Sequence, residues 1–133
     1  MTSHCYCISL RTAARKTSAI YDEALEPFGI NIAQYSLMRK VEYARQISLT
    51  ELARLCELDR STIGRNAKVL ERMGLIETVP GKDHREAVLE LTEAGKQCLT
   101  GSRPAWRVAQ TKIEALLGGP DGAAQLRELL QAL

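Results

Sequence analysis

The stretch from Ser48 to Leu91 constrains the fold most, because its hydrophobic period switches from helical to alternating within a short span. Behind Ser48, a natural N-cap, Leu49, Leu52, Ala53 and Cys56 recur at three- and four-residue steps, which is one buried face of a short helix. The tripeptide Glu57-Leu58-Asp59 breaks that rhythm, and Asp59 caps a second helix over about Arg60 to Met73. In that second helix Ile63, Ala67 and Leu70 lie inward. Ser61, Gly64, Arg65, Lys68 and Arg72 fall on another side, which is polar and cationic. Gly74 is placed as a C-cap, after which Ile76 to Val79 and Ala87 to Leu91 read as two short strands. Pro80-Gly81-Lys82-Asp83-His84-Arg85 between them is a polar turn with a basic tip.

The flanks are helical. Leu10, Ala13, Ala14, Thr17, Tyr21, Ala24 and Leu25 mark one stripe of a first helix that Pro27 and Gly29 end. Asn31 caps the next, with Ile32, Tyr35, Met38 and Val41 as its buried face. After Thr92 a long helical pattern is interrupted at Gly101, Ser102 and Pro104, so a kink or break is expected near Pro104. Gly118 to Gly122 reads as a breaker cluster, and Leu126, Leu129, Leu130 and Leu133 close the chain with a last amphipathic helix.

Composition agrees with a helical domain. The 133 residues are 45% hydrophobic and 26% charged with only six aromatics, a balance that excludes wholesale disorder and does not suit a sandwich or barrel. No apolar run is long enough to span a bilayer and no export signal is visible, so a cytosolic compartment and no membrane partner are expected. The four cysteines, Cys5, Cys7, Cys56 and Cys98, then read as reduced thiols rather than a disulfide framework. A net charge of +2 permits a nucleic-acid partner without arguing for one, so the distribution of charge decides. From Asp59 to Arg85 six Lys or Arg stand against four Asp or Glu, so this segment holds an excess equal to that of the whole chain.

A helix pair with a hairpin directly behind it has the order of a winged helix-turn-helix. The second helix of such a motif enters a major groove about 12 Å wide when its outward face carries short polar and cationic side chains. Ser61, Arg65, Lys68 and Arg72 meet that need, and the hairpin brings Lys82 or Arg85 to phosphates or the adjoining minor groove. For an isolated helix, a cationic face is most often simply solvated. The attached hairpin shifts the balance toward DNA.

With these residues in view, the chain resembles the multiple-antibiotic-resistance regulator family, MarR, of dimeric bacterial transcription factors. The resemblance runs over nearly the whole chain. It rests on Leu49-Thr50-Glu51-Leu52-Ala53, on Asp59 to Arg65, on Leu70 to Ile76, and on Asp83-His84-Arg85 ahead of Val88 to Gly95. It implies a mainly α fold with a small β-hairpin wing, in which 31–92 form the winged helix-turn-helix and 1–30 with 93–133 the dimerisation helices. It further implies that Ser61, Thr62, Arg65 and Arg85 touch DNA and that Asp83 orients Arg85. Gly64 is a departure, since the family often carries Thr or Ser there. The implied function is a homodimer on a pseudo-palindromic operator, acting as a repressor that a chemical signal releases.

For that signal, Cys5-Tyr6-Cys7 has basic neighbours of the kind that raise thiol reactivity, against the plain alternative of an inert pair. The family's organic-hydroperoxide-sensing branch is similar in having an early reactive cysteine and a tyrosine fourteen residues later, a spacing that Cys7 and Tyr21 keep. Arg11 stands where that branch has a further tyrosine. Oxidation of Cys7 to a sulfenic acid and then an intersubunit disulfide is the expected course, Cys5 being too close within a helix to pair easily. A soft metal site at His4, Cys5 and Cys7 is one rival. Another is a small aromatic or anionic ligand near Tyr35, Trp106, Arg15 and Arg39, although core packing suits both rings better. Cys56 is expected in the core, and the reactivity of Cys98 is not legible. No cluster of acid, base and nucleophile and no phosphate loop appears, so neither an enzyme nor a cofactor is expected. A winged-helix module that binds only proteins is the remaining alternative.

Overall fold

A computed structural model describes residues 4–83 and 86–133. Local sequence explains most of its elements. Helix α1 (Tyr6–Leu25) starts behind Cys5, whose backbone is extended, and ends in a 3-10 turn at Glu26–Phe28. Helix α2 spans Ile32–Ala44, followed by strand β1 (Ile47–Ser48) and helix α3 (Leu49–Cys56). Helix α4 covers Arg60–Arg72, strands β2 and β3 cover Ile76–Pro80 and Ala87–Leu91, and helices α5 (Glu93–Leu116) and α6 (Gly119–Gln131) complete the chain. The fold is mainly α with a small antiparallel sheet in the order β1-β3-β2. Among the described residues no helix is long and apolar enough to cross a membrane.

The residues fall into two compact units: the described part up to Asn31 together with Arg103–Leu133, and Ile32–Ser102. In the second unit α3 packs on α4, α4 on β2, and α2 on β3. Ile63, Ala67 and Leu70 are buried on α4 as their spacing predicts, beside Leu52 and Ala53 of α3 and Tyr35, Met38 and Val41 of α2. The sheet turns Ile47, Leu89, Leu91 and Ile76 into this core. In the first unit Leu25, Ala109, Ile113 and Ala123 are buried, and Tyr21 stacks on Trp106 with ring centroids 6.4 Å apart.

Two expectations need correction. Of the kink or break expected near Pro104, the break does not occur: α5 runs through Pro104, because one proline in a helix of 24 residues removes a single backbone hydrogen bond. The glycine and proline cluster near residue 120 breaks the helical run as expected: α5 ends at Leu116 and α6 begins at Gly119, with Gly118 left-handed (φ 93°) and Pro120 in the first turn of α6, where its missing N–H is no loss. Cys56 is half-buried rather than a core residue, since it closes α3 just before the turn. Strand β1 was not expected at all. Its two residues carry no alternating pattern and are ordered by pairing with β3, Ile47 opposite Leu89 and Ser48 opposite Val88.

Candidate nucleic-acid interface

The helix-turn-helix is set by two caps and one left-handed residue. Ser48 is extended (φ −71°, ψ 156°) and its hydroxyl accepts from the Glu51 N–H at 3.2 Å, which starts α3. Glu57 ends α3 at φ 54°, and the N–H of Leu58 returns to the Ala53 carbonyl at 3.1 Å. Asp59 then starts α4, its carboxylate accepting from the Thr62 N–H at 2.8 Å and from the Ser61 hydroxyl at 3.3 Å. Hydrogen bonding by Thr62, side chain first and backbone next, holds this carboxyl below the ordinary aspartate value.

The caps fix which side of α4 faces solvent. Arg60, Ser61, Arg65, Lys68 and Arg72 are exposed, whereas Thr62 is half-buried. The Thr62 hydroxyl accepts from Arg65 Nη2 at 3.3 Å, so Thr62 steadies the guanidinium beside it. Arg60 was not singled out from the sequence. The available signal was its spacing, four residues before Gly64 and eight before Lys68, which places all three along one flank of the helix.

That flank faces the sheet across an open groove of about 460 Å³, with Leu49 and Leu89 in its wall, Gly64 at its edge and Arg60, Arg65 and Lys68 around it. Glu71 also borders it, its carboxylate engaged by the Thr78 hydroxyl. The opposite face of the sheet has different chemistry. Gln46, Glu90 and Glu77 form a row there; Gln46 Nε2 donates to Glu90 Oε2 at 2.8 Å and holds Glu90 below the ordinary value, while Glu77, hydrogen-bonded to Glu90, is raised. With Glu42 and Glu93 they line a pocket of about 1010 Å³ that also takes in Arg45, Lys82 and Lys96. The structure thus brings Ser61, Arg65, Lys68 and Arg72 together and places Lys82 on the side of the sheet that carries Glu77 and Glu90. Asp83 is exposed at the turn, and Arg85 lies outside the described residues.

A sequence model described as MarR family matches residues 28–86. The crystal structure of the Mycobacterium tuberculosis transcriptional regulator MosR in complex with DNA is similar at a TM-score of 0.83, with 33% identity over 97% of this chain and 96% of that one. The chain belongs to the MarR family. A mutant MarR from Escherichia coli complexed with operator DNA shares the fold, at a TM-score of 0.82 and 23% identity over 92% of this chain and 89% of that one. The uncharacterized HTH-type transcriptional regulator YhbI of Bacillus subtilis (strain 168) is 30% identical over 90 residues, 67% of this chain and 58% of that protein. The chain spans less than two thirds of the length of the curated relatives it matches. MarR-family regulators are non-enzymatic, in line with the missing catalytic cluster in the sequence.

The sensor candidates of this MarR-family chain are spread over the first unit, α2 and α5. Cys5 and Cys7 are exposed. Cys5 precedes α1 instead of lying within it, so confinement to one helix does not separate the two thiols. Fourteen residues of helix put Tyr21 about 21 Å from Cys7 along α1, so the two do not meet within one chain. The Tyr21 hydroxyl is instead hydrogen-bonded to Gln110, and burial, with the charge of Glu114 second, raises it. Cys98 is half-buried and burial raises its thiol. Tyr35 is a core residue with Arg39 6.0 Å above its ring, and Trp106 is taken up by the stack on Tyr21. Among the described residues no three His, Cys, Asp or Glu side chains gather as a metal site.

Proposed function

We propose that this chain is a homodimeric DNA-binding transcription regulator that represses from a pseudo-palindromic operator and is released by oxidation near its N-terminus. The observation that carries the DNA reading is the exposed face of α4, where Ser61, Arg65, Lys68 and Arg72 stand together on a helix capped by Asp59 and flanked by a hairpin. Short polar and cationic side chains on a helix of this kind suit a major groove and its phosphates. Lys82 and Arg85 of the hairpin are assigned to phosphates and the minor groove, with Asp83 orienting Arg85. That a crystal structure of MosR, 33% identical, is a complex with DNA supports the reading.

Dimerisation is supported by apolar side chains that a monomer leaves in water. Leu129 is 69% exposed and Leu130 45%, with Leu116 of α5 and Leu10 of α1 also exposed. Stripes of this kind on terminal helices are costly unless a second copy covers them. A two-fold dimer places two α4 helices about one turn of DNA apart, and a dimer seated over a promoter blocks polymerase by occupancy.

For release, Cys7 is the assigned sensor, exposed at the start of α1 with Cys5 two residues before it. A peroxide converts the Cys7 thiolate to a sulfenic acid, losing water or an alcohol, and a second thiol displaces water to form a disulfide. Tyr21 belongs to this scheme only by way of the other subunit.

The test is selection of genomic fragments from the source organism by reduced protein, peroxide-treated protein and Cys7→Ser protein. The expected result is a palindromic site that oxidation abolishes only when Cys7 is present, with the crosslink seen on a non-reducing gel. A site bound alike by all three preparations removes the thiol switch and keeps the regulator. No enriched site removes the DNA reading.

A further inference from the structure

Gly64 is a helix-interior glycine that the packing of its own chain does not require. A Cβ built there meets only Leu49 Cδ2, at 3.5 Å, an ordinary van der Waals contact. Gly95 and Gly122 are different: a Cβ on either falls 2.0 Å or 1.9 Å from a backbone carbonyl oxygen, so those two positions admit nothing larger. Glycine lowers helix stability relative to alanine. At position 64 that loss is not repaid by any close approach within the protein, and the free space opens outward into the groove between α4 and the sheet.

The groove's chemistry identifies its occupant. Arg60 and Lys68 stand four residues before and after Gly64, one helical turn to each side, so two cations flank a gap with no side chain. The side chains of Leu49 and Leu89 give that gap an apolar wall. A helix in the major groove and a hairpin in the adjoining minor groove must straddle the sugar-phosphate strand that divides the two. Among the described residues, the groove between helix and hairpin lies where such a reading head meets the dividing strand.

We infer that the groove at Gly64 seats one sugar-phosphate unit of the DNA strand between the two grooves, with the deoxyribose against Leu49 and Leu89 and its phosphate between Arg60 and Lys68. The α4 side carries Arg60, Arg65 and Lys68 against Glu71 and Glu86, whereas on the other face of the sheet four glutamates stand against Arg45, Lys82 and Lys96, so the charge balance favours a phosphate on the α4 side. Glu71 does not close the seat, because Thr78 holds its carboxylate toward β2. The inference rests on the DNA reading and adds to it a contact that is independent of base sequence.

Gly64→Leu fills the seat, leaves every cation in place and raises helix propensity. Thermal melting should therefore be no lower than for the wild type, and Gly64→Ala should show a smaller effect on binding in the same direction. Binding is read by fluorescence anisotropy on the site recovered by selection and on a mixed-sequence duplex. Gly64→Leu should weaken both on the order of tenfold, keep their ratio, and reduce the salt dependence by about one phosphate per subunit. A methylphosphonate placed at each phosphate in turn should find one position per half-site that weakens the wild type and leaves Gly64→Leu unchanged. Equal binding of either duplex by wild type and Gly64→Leu overturns the seat, and so does a loss confined to the selected site. If the wild type itself binds neither duplex at low salt, the DNA reading falls and the seat with it.

Discussion

Gly95 stands in the first turn of α5, where its N–H is bound by the Thr92 hydroxyl at 3.0 Å and the same hydroxyl donates to the Gly74 carbonyl at 2.6 Å. The chain leaving α4 is thus tied to the start of α5 with no room for a side chain between them. Gly95→Ala should destabilise the protein by about 3 kcal/mol, because backbone rather than a flexible side chain must move. Gly64→Ala should stabilise it by up to ~1 kcal/mol through helix propensity. Urea unfolding of the two variants should give shifts of opposite sign; the same sign in both would refute this distinction. Asp59 supplies a pH dependence. Its carboxyl is lowered in the folded chain, so its capping of α4 is complete above the ordinary aspartate value and is lost as acidification passes the depressed native value. The Thr62 amide resonance should report that titration below the ordinary value, and Asp59→Ala should abolish it.

At the scale of elements, what could be read in advance depended on whether the cause was local. Ser48 and Asp59 announce α3 and α4 because an N-cap acts on an N–H three residues away, and the buried trio of α4 follows from helical spacing alone. Strand β1 and the packing of Tyr21 on Trp106 depend on residues far along the chain, which no local pattern encodes. The same holds for the side of the sheet that Lys82 takes and for the groove beside Gly64, which exists only once α4 and the sheet are set against each other. Pro104 misled because its local penalty is real while the helix on both sides is long enough to absorb it. Pro104→Ala should restore the missing backbone bond and stabilise the protein by about 1–3 kcal/mol in a thermal or urea melt. No gain would mean that the bond is already replaced.

For the whole molecule, the proposed function is a dimer that holds DNA largely through phosphates. Exposed leucines on α6 and the first turns of α1 predict that dilution dissociates the dimer, and that Leu129→Lys does so at higher concentration, as sedimentation would show. DNA binding should fall together with the dimer, since each half-site alone supplies only part of the contact. The most direct measurement is the affinity of the reduced protein for duplex DNA over a series of salt concentrations. The account predicts that log K falls linearly with log salt at a slope near −0.9 per phosphate neutralised, and that Arg65→Ala lowers both affinity and slope. Affinity that does not change with salt, or an Arg65→Ala protein that binds as the wild type does, would contradict it.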